Sequence, residues 1–160
     1  MTARVIDVQA HVLPRVYLER LDGRSDFPRV ERDADRYWMF SGPGLRTPVS
    51  PAMIDLDVRL ADMDAAGVDV ELLSTTLPGA EMFVDANFGI SLAQAANDEL
   101  ARIVSDHPDR FLGMAALPLQ APSAARAELQ RAAQQLGFRA GCLYTNVAGR
   151  MLDEPSLELD

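Results

Sequence analysis

Two polar side chains stand near the end of the first apolar run, Val5-Ile6-Asp7-Val8-Gln9-Ala10-His11-Val12-Leu13-Pro14. Alternate residues of a strand point to the same side, so Gln9 and His11 share one face. An imidazole at a strand exit is a candidate metal ligand. A neutral amide oxygen is a poor one for zinc, which takes imidazole, thiolate or carboxylate. Asp7, two residues before Gln9, falls on the same face but deeper. The other imidazole, His107, precedes Pro108, which ends a helix, and reads as a helix-terminus residue facing away from the strand exits. Cys142 lies in an apolar run and reads as a buried, inert thiol. As the single cysteine it excludes an intramolecular disulfide and fits a reducing, cytoplasmic setting.

The elements that must position these groups follow from periodicity. After the first strand, 15–50 is a polar region without sustained periodicity, longer than an ordinary connection. It is expected to be an inserted lid carrying a short hairpin, with Tyr37-Trp38-Met39-Phe40 as its packed face. Ser50 is the expected N-cap of a first helix, with Pro51 at its first position, Leu56, Leu60 and Met63 inward, and Gly67 as its left-handed cap. A strand over 68–74 leads to Ser74-Thr75-Thr76. A helix over 87–106 turns Leu92, Ala96, Leu100 and Ile103 inward. A strand over 111–117, a helix over 123–136 with Leu129, Ala133 and Leu136 inward, and a strand over 139–145 complete the series. The stretch 153–157 resembles the start of a further helix.

Strands apolar on both faces, alternating with helices, indicate an α/β fold with a parallel sheet and right-handed crossovers. A flavodoxin-like sheet and half of a (β/α)8 barrel both satisfy that pattern. The turn after the first strand lacks a glycine-rich phosphate loop, which disfavours a dinucleotide fold. The 160 residues are enough for one domain with a real core, and 48% of them are hydrophobic. A net charge of −9 argues against nucleic-acid and anionic-membrane partners. No apolar run is long enough to span a membrane.

The opening strand resembles that of the amidohydrolase superfamily, where His-x-His supplies two metal ligands, and is closest to the branch containing aminocarboxymuconate-semialdehyde decarboxylase. Here Gln9 replaces the first histidine; related resorcylate-type decarboxylases carry glutamate there. The stretches 59–69, 107–111, 137–141 and 145–153 are similar to family segments as well. The resemblance implies parallel βα units forming about half of a (β/α)8 barrel over 1–160, with 15–50 as the lid. It implies His11 as a metal ligand and Arg46, in the insert before the first helix, as a partner for a substrate carboxylate, which a planar guanidinium meets bidentately.

In complete relatives a divalent metal, expected to be zinc, lowers the pKa of a bound water. Their third metal histidine, acid-base histidine and closing aspartate lie on later strands. The expectation is therefore the N-terminal part of a metal-dependent carboxy-lyase acting on an unsaturated or aromatic carboxylic acid. As an isolated chain it is expected to be inactive, without tightly held metal, and to pair with itself or with a missing C-terminal half. A non-catalytic remnant or interaction module and an amide or lactone hydrolase are the alternatives.

Overall fold

The computed structural model of the chain describes residues 3–76, 78–147 and 149–157. Its elements begin with β1 (Ile6–Val12), α1 (Arg15–Leu21), β2 (Arg29–Asp33), β3 (Arg36–Gly42), β4 (Leu45–Pro48), α2 (Leu56–Ala66) and β5 (Val70–Thr75). They continue with α3 (Ala86–Asp106), β6 (Phe111–Ala115), α4 (Pro122–Gln135), β7 (Ala140–Gly141), β8 (Asn146–Val147) and β9 (Arg150–Met151).

The central sheet has the order β1-β5-β6-β7, with every pair parallel. Each new strand is added on the same side, with no reversal. A flavodoxin-like sheet reverses its winding, whereas a (β/α)8 barrel does not. Strand order therefore selects the half-barrel. No helix among the described residues is long and apolar enough to cross a membrane.

The helices form where amphipathic stripes meet good caps. The side chain of Asp55 accepts the N–H groups of Asp57 and Val58 at 2.9 and 3.2 Å, and Gly67 closes α2 at φ 69°. The cap is thus Asp55 and not Ser50. Pro51 starts only a 3-10 turn, Pro51–Met53, before the carboxylate restarts the chain as α2. In α3, Asp85 caps Asn87 and Phe88 in the same way, and Leu92, Ala96 and Leu100 are fully buried. Burying each of those leucines contributes about 1.5–3 kcal/mol.

Helix α4 packs Leu129 and Leu136 against the core as expected, but its most buried positions differ. Its buried residues are Ala125, Glu128 and Ala132, while Ala133 faces solvent. Glu128 is drawn inside because Asn97 Nδ2 donates to it at 2.7 Å and Arg131 at 2.8 Å. Asn97 also stops the strand pairing. It accepts the Ala116 N–H at 2.8 Å and donates to the Ala116 carbonyl at 2.9 Å, which removes both groups from the ladder. Consequently β6 ends at Ala115; on its other edge β7 pairs through Ala140 and Gly141 and does not run to 145. The chain then forms the small hairpin β8-β9, which the sequence pattern did not announce, and a 3-10 turn at Pro155–Leu157 in place of a further helix.

The insert is more ordered than a loop with one hairpin. It holds α1 and the antiparallel sheet β2-β3-β4. Tight turns at Ala34-Asp35 and Pro43-Gly44 keep its strands short, which hides their alternation in the sequence. The aromatic run does not form one packed face. Met39 is buried inward, whereas Trp38 and Phe40 lie on the opposite side under arginines. Helix α1 docks on α3, where the Glu99 carboxylate accepts the N–H groups of Arg15 and Val16 at 2.7 and 2.8 Å.

Gly113 on β6 lies directly beneath the buried ring of Phe138, so a Cβ there would overlap the ring. Overpacking of this kind costs about 1–3 kcal/mol. Gly113→Ala is expected to lower stability by that amount, read as a reduced urea midpoint at unchanged m-value.

Candidate active site

The first strand reaches its exit through a bulge. Asp7 pairs with Glu71 and Ala10 with Leu73, so Val8 and Gln9 stand opposite the single residue Leu72. An extra residue breaks the two-residue alternation. Val8 and Gln9 consequently both line the cleft, and Asp7 pairs with Glu71 on the other side of the sheet. This corrects the expectation that Asp7 lies deeper on the Gln9 face. Its carboxylate instead accepts the Gln9 N–H at 2.9 Å, satisfying a donor beside the bulge.

Gln9 and His11 open into a cleft of about 550 Å³, walled by Val8, Ser74, Thr76, Met114, Cys142 and Tyr144. His11 is half-buried, with its Nδ1 in hydrogen-bond contact with Ser74 Oγ at 3.0 Å. A second cavity of about 400 Å³ lies between His11 and the lid, lined by Leu13, Met39, Ser41 and Thr47. Behind His11, Arg59 Nη1 donates to its backbone carbonyl at 2.7 Å and to the Ala52 carbonyl at 2.9 Å. Arg59 Nε meets Glu71 at 2.5 Å in a buried ion pair. Sequence reasoning passed over both residues. The signal was present: Arg59 shares the helical face of Leu56 and Met63, and Glu71 is a lone acid within an apolar strand.

The remaining candidates are dispersed. Arg46 is exposed on β4, with its guanidinium 3.6 Å from the Trp38 ring centre, and lines neither His11 cavity. The structure therefore does not bring Arg46 and His11 together. His107 caps the C-terminus of α3 and packs edge-on against Phe111, at the opposite ends of the strands. Cys142 is half-buried and borders the cleft. Its thiol is pushed up by burial and so stays protonated, with the Tyr144 hydroxyl beside it pulling down. The Tyr144 hydroxyl is itself raised, mainly by burial.

Glu81, after β5, is buried, and its carboxyl folds back into the space a side chain on Gly79 would take. Burial pushes this carboxyl from 4.5 up to about 7, its own backbone hydrogen bond opposing.

Residues 6–158 match the family model described as Amidohydrolase. The chain belongs to the amidohydrolase family. The chain is 30% identical to a 2-amino-3-carboxymuconate-6-semialdehyde decarboxylase of Dictyostelium discoideum, an alignment covering 95% of the chain and 43% of the relative. It is 48% identical to the gamma-resorcylate decarboxylase of Rhizobium sp. over 82 residues, 51% of the chain and 25% of the relative. Among solved structures, it superposes with a TM-score of 0.72 and 26% identity on 5-carboxyvanillate decarboxylase from Novosphingobium aromaticivorans. That superposition covers 96% of the chain and 45% of the neighbour, which holds manganese and 4-hydroxy-3-methoxy-5-nitrobenzoic acid. The chain thus spans less than half the length of these relatives.

The donor set here does not by itself fit a catalytic divalent metal. His11 offers one imidazole and Gln9 one amide, and no three His, Cys, Asp or Glu side chains cluster among the described residues. A catalytic zinc site, for comparison, takes three protein ligands and an open position.

The Glu81 carboxyl has a consequence for stability. Below about pH 4.5 it is protonated folded or unfolded. Between 4.5 and 7 the unfolded chain loses the proton first, so the folded state binds more protons and stability falls as pH rises. The loss is on the order of 3 kcal/mol at most. Glu81→Gln is expected to abolish this decline, read as urea midpoints of both proteins across that window.

Proposed function

We propose that the chain is the N-terminal part of a divalent-metal-dependent carboxy-lyase that removes CO₂ from a small aromatic or unsaturated carboxylic acid. The observation that carries the proposal is the placement of His11, with Gln9, at the strand-exit cleft of a family whose neighbours include aromatic-acid decarboxylases. In decarboxylation the bond to the carboxylate breaks, CO₂ leaves, and a proton takes its place on carbon. The walls suit such a substrate: Val8 and Met114 offer apolar surface, and Ser74, Thr76 and Tyr144 offer hydroxyls. In this reading His11 is one ligand of the metal. Manganese, present in the solved neighbour, is the first metal to test ahead of the expected zinc. Arg46 would reach a substrate carboxylate only after the lid sheet rearranges, so Arg46→Ala decides its part.

Among the described residues no further metal ligands or acid-base histidine gather around His11. Losing general acid-base catalysis alone removes about 10²–10⁴ in rate. The chain's open inner face leaves Val8 67% and Leu143 55% exposed, surface that favours a second copy or the rest of a barrel as partner. A cytoplasmic setting belongs to the same proposal. Gln9 supports the second reading, a non-catalytic remnant, because a carboxamide offers no charge to a metal.

The test is metal analysis of the purified chain with a CO₂-release assay on dihydroxybenzoate and muconate-type acids, beside sedimentation. The expected result is an associating protein with neither stoichiometric manganese nor turnover. Stoichiometric metal with CO₂ release that His11→Ala abolishes would overturn the inactivity of the isolated chain.

A further inference from the structure

We infer that Arg59 is a positioning residue that sets His11 at the cleft. The inference rests on the reading of His11 as a site residue. Among the described residues β1 pairs with β5 alone, so in this chain the ladder holds its exit from one side. An exit held that way can fray, and an imidazole carried on it needs a further constraint.

Arg59 supplies that constraint through three contacts. Its Nη1 donates to the His11 carbonyl at 2.7 Å and to the Ala52 carbonyl at 2.9 Å, while its Nε meets Glu71 on β5 at 2.5 Å. Ala52 belongs to the turn that ends the lid, and the next residue of that turn, Met53, accepts the Leu13 N–H at 2.8 Å. The guanidinium therefore ties the strand exit, the lid exit and the neighbouring strand at one point. The imidazole is held on its other side by Ser74 Oγ, at 3.0 Å from Nδ1. With Nδ1 engaged, Nε2 is the ring nitrogen without a partner among the described residues.

A purely stabilising role does not account for this arrangement. Buried ion pairs are often no more stabilising than apolar residues of similar volume. Here Nη1, which takes no part in the ion pair, donates to the backbone of the site residue and of the turn that ends the lid. Lysine cannot reproduce it, because an ammonium is a point charge without the fixed planar fork.

The experiment reads the His11 ring nitrogens by long-range proton–nitrogen NMR in the metal-free chain. Only two histidines are present, and His107, at the far ends of the strands, serves as the internal control. In folded Arg59→Lys the His11 resonances are expected to shift toward tautomer averaging and to broaden, with those of His107 unmoved. The same change is expected in Arg59→Met combined with Glu71→Met, which removes both charges and leaves neither orphaned. Unchanged His11 resonances in either folded variant overturn the inference. Unfolding of both variants overturns it too, since Arg59 would then serve the whole fold. The spectra require neither metal nor substrate, so this outcome is independent of whether the decarboxylase reading holds.

Discussion

The buried ion pair of Arg59 with Glu71 is the constraint on which the rest of the structure hangs. Both side chains are almost wholly removed from water, and an uncompensated charge there would cost about 3–5 kcal/mol. The pair is tolerated because the guanidinium also satisfies two carbonyls and the carboxylate takes the shortest of the contacts. It follows that α2, the exit of β1, the turn leaving the lid and β5 cannot move independently.

A second polar knot does the same for the other half of the sheet. Asn97 binds both backbone groups of Ala116 and the buried Glu128, and Arg131 joins Glu128 to Asp98. It fixes where β6 stops and which side chain of α4 is buried beside α3. The mouth beyond β7 is built from irregular chain, Cys142 to Tyr144, and not from a continued strand.

The functional picture follows from what these two knots hold in place. They present one imidazole, one amide and several hydroxyls at the strand exits, in a family whose relatives here are more than twice as long as this chain. The geometry is that of a wall of a site. The acid-base groups and further ligands that would face it are not among the described residues.

Composition and periodicity determined the βα alternation, the parallel sheet, the inner stripe of α3 and the Gly67 cap, because each is a local consequence of apolar spacing or of a residue that tolerates positive φ. The opening strand likewise marked His11 and Gln9. Only the tertiary structure decided that Asp55 rather than Ser50 starts α2, that Glu128 rather than Ala133 lies inward on α4, and that the insert folds as a helix with three strands. It alone showed that the bulge sends Asp7 away from the cleft and that Arg46 rests on Trp38 beyond it. The reason is common to all of these. Periodicity registers the average polarity of a face, whereas a buried charge is placed by a partner distant in the chain: Glu71 for Arg59, Asn97 for Glu128. A bulge, in turn, is set by pairing with a neighbouring strand, which no single stretch of sequence contains.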